Sequence, residues 1–250
     1  LFRSGSEEEM TYLILFLAGI IAYIISTLSG GGGAIIMLPI VGFYLSPQSI
    51  APVVNLGNMI GRPARLILFW KDIQWDLVKY YVPSALLGAI VGGLIFVQLN
   101  SSWIQIVLGI FLLTTPFQFK MGKKKYSFKM KKQYFIPLGF LVTVISTLFG
   151  ATGAVLNPFY LNMGLVKEKM IATKTANSFF AGIAQIGSYA FLGAIEGQMW
   201  FWGLAIGLGA VIGNIIGKKL LSKMSELNFR RAVLVIMVIS GILMLVKGLS

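Results

Sequence analysis

Two stretches place loose backbone inside apolar sequence: STLSGGGGAIIMLP, from Ser26 to Pro39, and STLFGATGAVLNP, from Ser146 to Pro158. Gly30, Gly31, Gly32 and Gly33 interrupt the first, and Gly150, Ala151, Thr152 and Gly153 the second. Unpaired backbone polar groups in an apolar medium cost several kcal/mol each, so non-helical backbone survives there only against protein or a cavity. Each segment after a break would begin a helix whose free N–H groups and positive dipole end attract an anion, and glycine lets a ligand approach the main chain. Thr152 would add a hydroxyl donor. The chemistry these residues offer is anion recognition.

Side chains nearby extend it. Asn58, Arg62 and Arg65 fall on one helical face at i, i+4, i+7 within the apolar run 49–70. Arg62 lies about midway and offers a planar fork of donors suited to an oxyanion. Arg65, nearer the end, reads either as a second contact or as a side chain snorkelling to the interface. In the run 169–193, Lys174 and Asn177 share a face, with Thr173 and Ser178 close by. Lys174 reads as a ligand contact or as an interface lysine, and Asn55 occupies its counterpart position. Asn58 and Asn177 read as ligand contacts or as hydrogen bonds between helices.

Beyond the first residues, LFRSGSEEE, the carboxylates are Asp72, Asp76, Glu168, Glu196 and Glu226, all in or near loops between apolar runs. Proton or sodium coupling usually relies on a buried acid, so coupled transport lacks its customary residue. The chain has no His and no Cys. Thiol and imidazole chemistry and the usual zinc ligands are thereby excluded, no cofactor or metal is expected, and a membrane-embedded enzyme is disfavoured.

The elements that must position these residues are membrane helices. The 250 residues are 57% hydrophobic and 12% charged, with a mean hydropathy of +0.84, and several runs approach the roughly 20 apolar residues needed to cross a bilayer. The net charge of +13 sits in short loops between the runs, which argues for topology signals and against nucleic acid. Residues 1–9, which begin without Met, read as an appended remnant.

The two glycine stretches belong to a longer repeat. Asn58 pairs with Asn177, WKDIQW with GAIEGQMW, and LLGAIVGG (Leu86 to Gly93) with GLGAVIGN (Gly207 to Asn214). The chain divides into a first transmembrane repeat at 10–120, a basic linker at 121–131 and a second repeat at 132–250. Each parses as a broken pair and three longer runs: 11–28 with 34–45, then 49–70, 80–98 and 102–119; and 134–149 with 154–163, then 169–193, 199–221 and 230–248. Pro39 and Pro158 are expected in the first turns of the short arms. Gly88, Gly92, Gly93, Gly207, Gly209 and Gly213 read as helix-packing glycines.

The linker KMGKKKYSFKMKK, Lys120 to Lys132, is the densest basic cluster and reads as cytoplasmic. Counting from it puts every Lys- or Arg-rich loop on one face, provided each broken pair dips in and returns. The expected fold is all-α and polytopic: two inverted repeats, each a re-entrant broken-helix hairpin plus three membrane-spanning helices, with both termini outside and the hairpin tips meeting near the midplane.

The paired glycine breaks closing in proline, the asparagine about twenty residues after each, the tryptophan-ended spans and the LLGAIVGG run resemble the TauE/SafE family of sulfite exporters over nearly the whole chain. The resemblance implies export of sulfite or an organosulfonate across a bacterial or archaeal cytoplasmic membrane, and carries over Gly30 to Gly33, Asn58, Gly150 to Gly153 and Asn177. The break ATG, and KDIQW without the family's glycine, depart from the pattern. The expected function is an anion exporter working by alternating access, with an anion channel, or an uptake transporter for a sulfur-containing or carboxylate anion, as the alternatives. Its expected partners are the small anion, the bilayer and a second copy in a homodimer.

Overall fold

The computed structural model describes residues 5–28, 33–99, 130–150 and 167–220, with scattered positions at 106, 110, 113, 156, 159–160, 163–165, 242 and 246. These residues form α-helices joined by short turns. In chain order they are α1 (Gly5–Leu28), α2 (Gly33–Tyr44), α3 (Pro47–Leu68), α4 (Trp75–Phe96), α5 (Phe135–Phe149), α6 (Lys167–Phe191) and α7 (Gln198–Leu220). Single 3₁₀ turns at Trp70–Asp72 and Lys132–Tyr134 lead into α4 and α5. Most of the third runs, 102–119 and 230–248, and of the linker lies outside the described residues.

Local chemistry explains the helix ends. Extended Ser46 precedes Pro47, whose fixed φ suits a first helical position and whose missing N–H is one of the helix's orphans anyway. Gly150, at φ 76°, is the left-handed cap of α5, its N–H bonding the carbonyl of Ser146 at 2.9 Å. Pro39 departs from expectation. Because α2 already starts at Gly33, Pro39 is an interior residue, and it leaves the carbonyl four residues earlier without its usual donor.

Four described helices are long and apolar enough to cross a membrane: α1, α4, α7, and α5 together with its leading turn. At 24 residues α1 is about 36 Å long, enough to reach across a bilayer core. The equally long α3 and α6 carry Asn55, Asn58, Arg62, Arg65, Lys174, Asn177 and Gln185. The two meet through Arg62 with Ser178 and Asn55 with Tyr189, while the apolar α1, α4 and α7 leave Leu13, Leu17, Leu87, Ile90, Phe201 and Leu208 exposed.

Side-chain pairings give the helix directions. Glu8 accepts from Gln198 at the starts of α1 and α7, and Thr27 donates to Asn214 toward their ends, so the two run parallel. Leu56 lies against Gly203 and Lys218 donates to the carbonyl of Leu68, so α3 runs with them. Lys132 pairs with Asp76 at 2.8 Å and Thr147 lies against Gly92, making α4 and α5 parallel. Thr173 accepts from the N–H of Gln74 and Ser188 lies against Gly93, so α6 joins that group. The groups oppose each other across α3 and α6, where Arg62 meets Ser178 and Asn55 meets Tyr189.

Glycine makes the close approaches possible. A Cβ on Gly19 would stand 2.7 Å from the carbonyl oxygen of Ile206, and one on Gly88 2.5 Å from that of Phe140. Gly209 and Gly213 meet the carbonyls of Phe16 and Ile20, Gly207 meets Ile60, and Gly92 and Gly93 meet Thr147 and Ser188. The six glycines read as packing residues are packing residues. They bring backbones together where the surrounding lipid offers no hydrophobic drive for helices to associate.

Candidate functional site

A cavity of about 20 Å³ lies between α3 and α6 and is bordered also by α4 and α5. That is room for one or two water molecules. Arg62 enters it from α3, Tyr81 from α4, Thr143 and Ser146 from α5, and Lys174, Ser178 and Gln185 from α6; Val142, Leu156 and Ala181 complete the wall. Lys174, Ser178, Ala181 and Gln185 follow at intervals of four, three and four, a single stripe of α6 about 16 Å long.

Arg62 and Lys174, both half-buried, bring two cationic side chains into this space, and among the described residues no Asp or Glu lines it. Arg62 donates from Nη1 to the main-chain carbonyl of Ser178 at 2.6 Å. That bond uses one of its five N–H donors and leaves its charge uncompensated, since a carbonyl is neutral. Removing a cation from water costs several kcal/mol unless an opposite charge answers it. The cavity is therefore suited to an anion, and its hydroxyls and amide supply further donors.

The other residues singled out from the sequence occupy different places. Asn58 is buried and accepts from the hydroxyl of Tyr23 on α1. Asn177 is buried and donates to the hydroxyl of Tyr160 at 2.7 Å. Asn55 donates to the carbonyl of Ser146 at 3.0 Å and to the hydroxyl of Tyr189 at 3.1 Å. These bonds are of the kind that join helices. The Oδ1 atoms of Asn55 and Asn177 nonetheless have no partner among the described residues, an unusual state for buried amides. Arg65 turns toward α1, donating to the carbonyl of Ser26 at 2.7 Å and to its hydroxyl at 3.3 Å.

Gly33 starts α2 packed on α1, where a Cβ would stand 2.9 Å from that of Ser26. Gly150 is demanded both by its positive φ and by Ala51, whose Cα a Cβ would meet at 3.0 Å. Neither lines the cavity. Gly30, Gly31, Gly32, Ala151, Thr152 and Gly153 lie outside the described residues. The residues flanking the two breaks, Ser26 and Ser146, contact α3 at Arg65 and Asn55. Ten helical residues separate those contacts, so the flanks are spaced about 15 Å along α3 instead of lying side by side.

Sequence reasoning missed Gln185, Tyr81, Thr143 and the tyrosines that hold the asparagines. Gln185 had a signal, since it continues the stripe of Lys174 and Ser178. At the end of α5, side chains reach the last-turn carbonyls: Asn55 adds a second donor to that of Ser146, beside the N–H of Gly150, and the Tyr189 hydroxyl serves Thr147, while Gln185 bonds the Thr147 hydroxyl at 3.0 Å. This layer borders the cavity at the Gln185 end of the stripe.

Residues 15–244 match the family model described as Sulfite exporter TauE/SafE. The chain is also 20% identical over 274 residues to a Bacillus subtilis (strain 168) protein named "Probable membrane transporter protein YunE", covering 96% of this chain and 99% of that one. No solved structure matches.

Proposed function

Because the chain belongs to the sulfite exporter TauE/SafE family, we propose that this membrane transporter carries sulfite or an organosulfonate out of the cell by alternating access. The observation that carries the reading is the cavity between α3 and α6, with Arg62 and Lys174 in its wall and no carboxylate among the described residues that line it. An oxyanion entering it exchanges water for charge-assisted hydrogen bonds.

The helix directions support two inverted halves. If α1, α3 and α4 correspond to α5, α6 and α7, each member runs opposite to its counterpart. The pairings are exchanged likewise: α1 and α3 pack on α7, while α5 and α6 pack on α4. Rocking one set against the other would open the α3–α6 seam to alternate faces. A cavity of about 20 Å³ makes no continuous pore among the described residues, and this favours a carrier over a channel.

Lys132, Lys218 and the turn at Phe69–Gln74 gather at one end of the bundle, with Glu8 and Gln198 at the other. Read by the positive-inside rule, the basic end is cytoplasmic and the N-terminus is outside. Lys174 lies two turns into α6 from that end, a position suited to receiving an anion from the cell interior. The membrane potential would then drive a monovalent anion outward with about 2.3 kcal/mol per 100 mV, without a coupling ion.

The test is sulfite efflux from proteoliposomes under an imposed potential. Arg62→Ala is expected to abolish efflux in protein that still purifies as a folded species. Wild-type flux from this variant would remove Arg62 from the site.

A further inference from the structure

We propose that Gly182 on α6 is the positioning residue for Arg62, a seat whose lack of a side chain lets the guanidinium reach α6 and present its remaining donors to the cavity. The proposal rests on the anion-site reading above and assigns a role to a residue that does not itself line the cavity.

In an α-helix the carbonyl of residue 178 points toward the N–H of residue 182, so any side chain at 182 stands beside the approach to that carbonyl. Arg62 takes that approach, with Nη1 at 2.6 Å from the Ser178 oxygen. A Cβ built on Gly182 would collide with Nη1 itself and would lie 3.3 Å from the sulfur of Met59, one turn earlier on α3. The Ser178 carbonyl can accept from both the N–H of residue 182 and Nη1 of Arg62, since its oxygen has two lone pairs. Any larger residue would force Nη1 to shift from its place on the Ser178 carbonyl.

Interior glycines weaken helices, so a glycine inside α6 calls for a reason. Gly187, five residues on, provides the comparison. Among the described residues nothing lies within 4 Å of its added Cβ. Thus α6 contains one interior glycine whose missing side chain is occupied by the charged head of α3, and one facing open space.

Sulfite binding by calorimetry and melting temperature are measured for wild type, Gly182→Ala, Arg62→Ala, the double variant and Gly187→Ala. Gly182→Ala is expected to weaken sulfite binding about tenfold and to lower the melting temperature. With Arg62→Ala already present, the same change should leave binding unaltered and raise the melting temperature, because alanine is the better helix former once the space is empty. Gly187→Ala should bind sulfite as wild type does.

A Gly182→Ala protein that melts higher with Arg62 in place overturns the seat. So does a loss of sulfite affinity that is repeated in full in the Arg62→Ala background. Should the melting temperatures reverse sign as expected while Arg62→Ala binds sulfite like wild type, the seat stands and the anion-site reading falls.

Discussion

The guanidinium of Arg65 donates to the main-chain carbonyl of Ser26 at 2.7 Å, so that α3 holds the last turn of α1 just before the first glycine break. Among the described residues that carbonyl has no helical donor, and a cation there also answers the negative end of the helix dipole. Three residues away on the same face, Arg62 turns instead to α6 and the cavity. One column of α3 thus serves two tasks.

Arg65→Ala is expected to cost about 1.5–3 kcal/mol of stability, the range for a hydrogen bond to a charged group, while the dissociation constant for sulfite stays within about threefold of wild type. Thermal melts and calorimetry on one preparation separate the two effects. A large loss of affinity without loss of stability would put Arg65 in the site.

Lys174→Gln keeps the length and polarity of the side chain but removes its charge. Sulfite binding should weaken about tenfold or more, with little change in melting temperature. Equal affinity in the variant would reduce Lys174 to an interface lysine.

Tyr189 donates to the carbonyl of Thr147 and accepts from Asn55, joining α6 to α5 and α3. Tyr189→Phe leaves a buried carbonyl without a donor and Asn55 with one partner fewer, at an expected cost of about 1–3 kcal/mol. An unchanged melting curve would mean that this layer contributes nothing to closing the end of α5.

Gly88→Ala would press a methyl group onto the carbonyl oxygen of Phe140, and Gly209→Ala onto that of Phe16. Neither main chain can yield without the helices parting, so each should destabilise by about 3 kcal/mol. Gly187→Ala, with open space around it, should instead stabilise by about 0.5–1 kcal/mol. Parallel melts of the three variants check the contrast.

Asp76 and Lys132 form an ion pair at 2.8 Å between two exposed side chains. Solvent and salt screen such pairs. Asp76→Asn should therefore leave the melting temperature unchanged at both low and high salt.

What sequence determined by itself was the helices among the described residues and that polar and cationic side chains stand within two of them. Long apolar runs at bilayer length leave little choice but helix, and an arginine in the middle of one is too costly to face lipid, so Arg62 was legible. The polar stripes of α3 and α6 were legible for the same reason, being periodic along the chain. The packing role of Gly88 and Gly209 could be read because small residues recur at helical spacing.

Tertiary structure alone decided which of these residues meet. Arg62 and Arg65 differ by less than one turn in sequence, yet one reaches Ser178 and the other Ser26, because a third and a fourth helix stand on either side of α3. Gly182 and Gly187 look alike in the chain, and only the presence of the Arg62 head over one distinguishes them. Tyr23, Tyr160 and Tyr189 took their roles from neighbours that spacing along their own helices does not reveal. Periodicity records which face of a helix is polar, whereas the partner that satisfies each polar group is set by how helices far apart in the chain pack together.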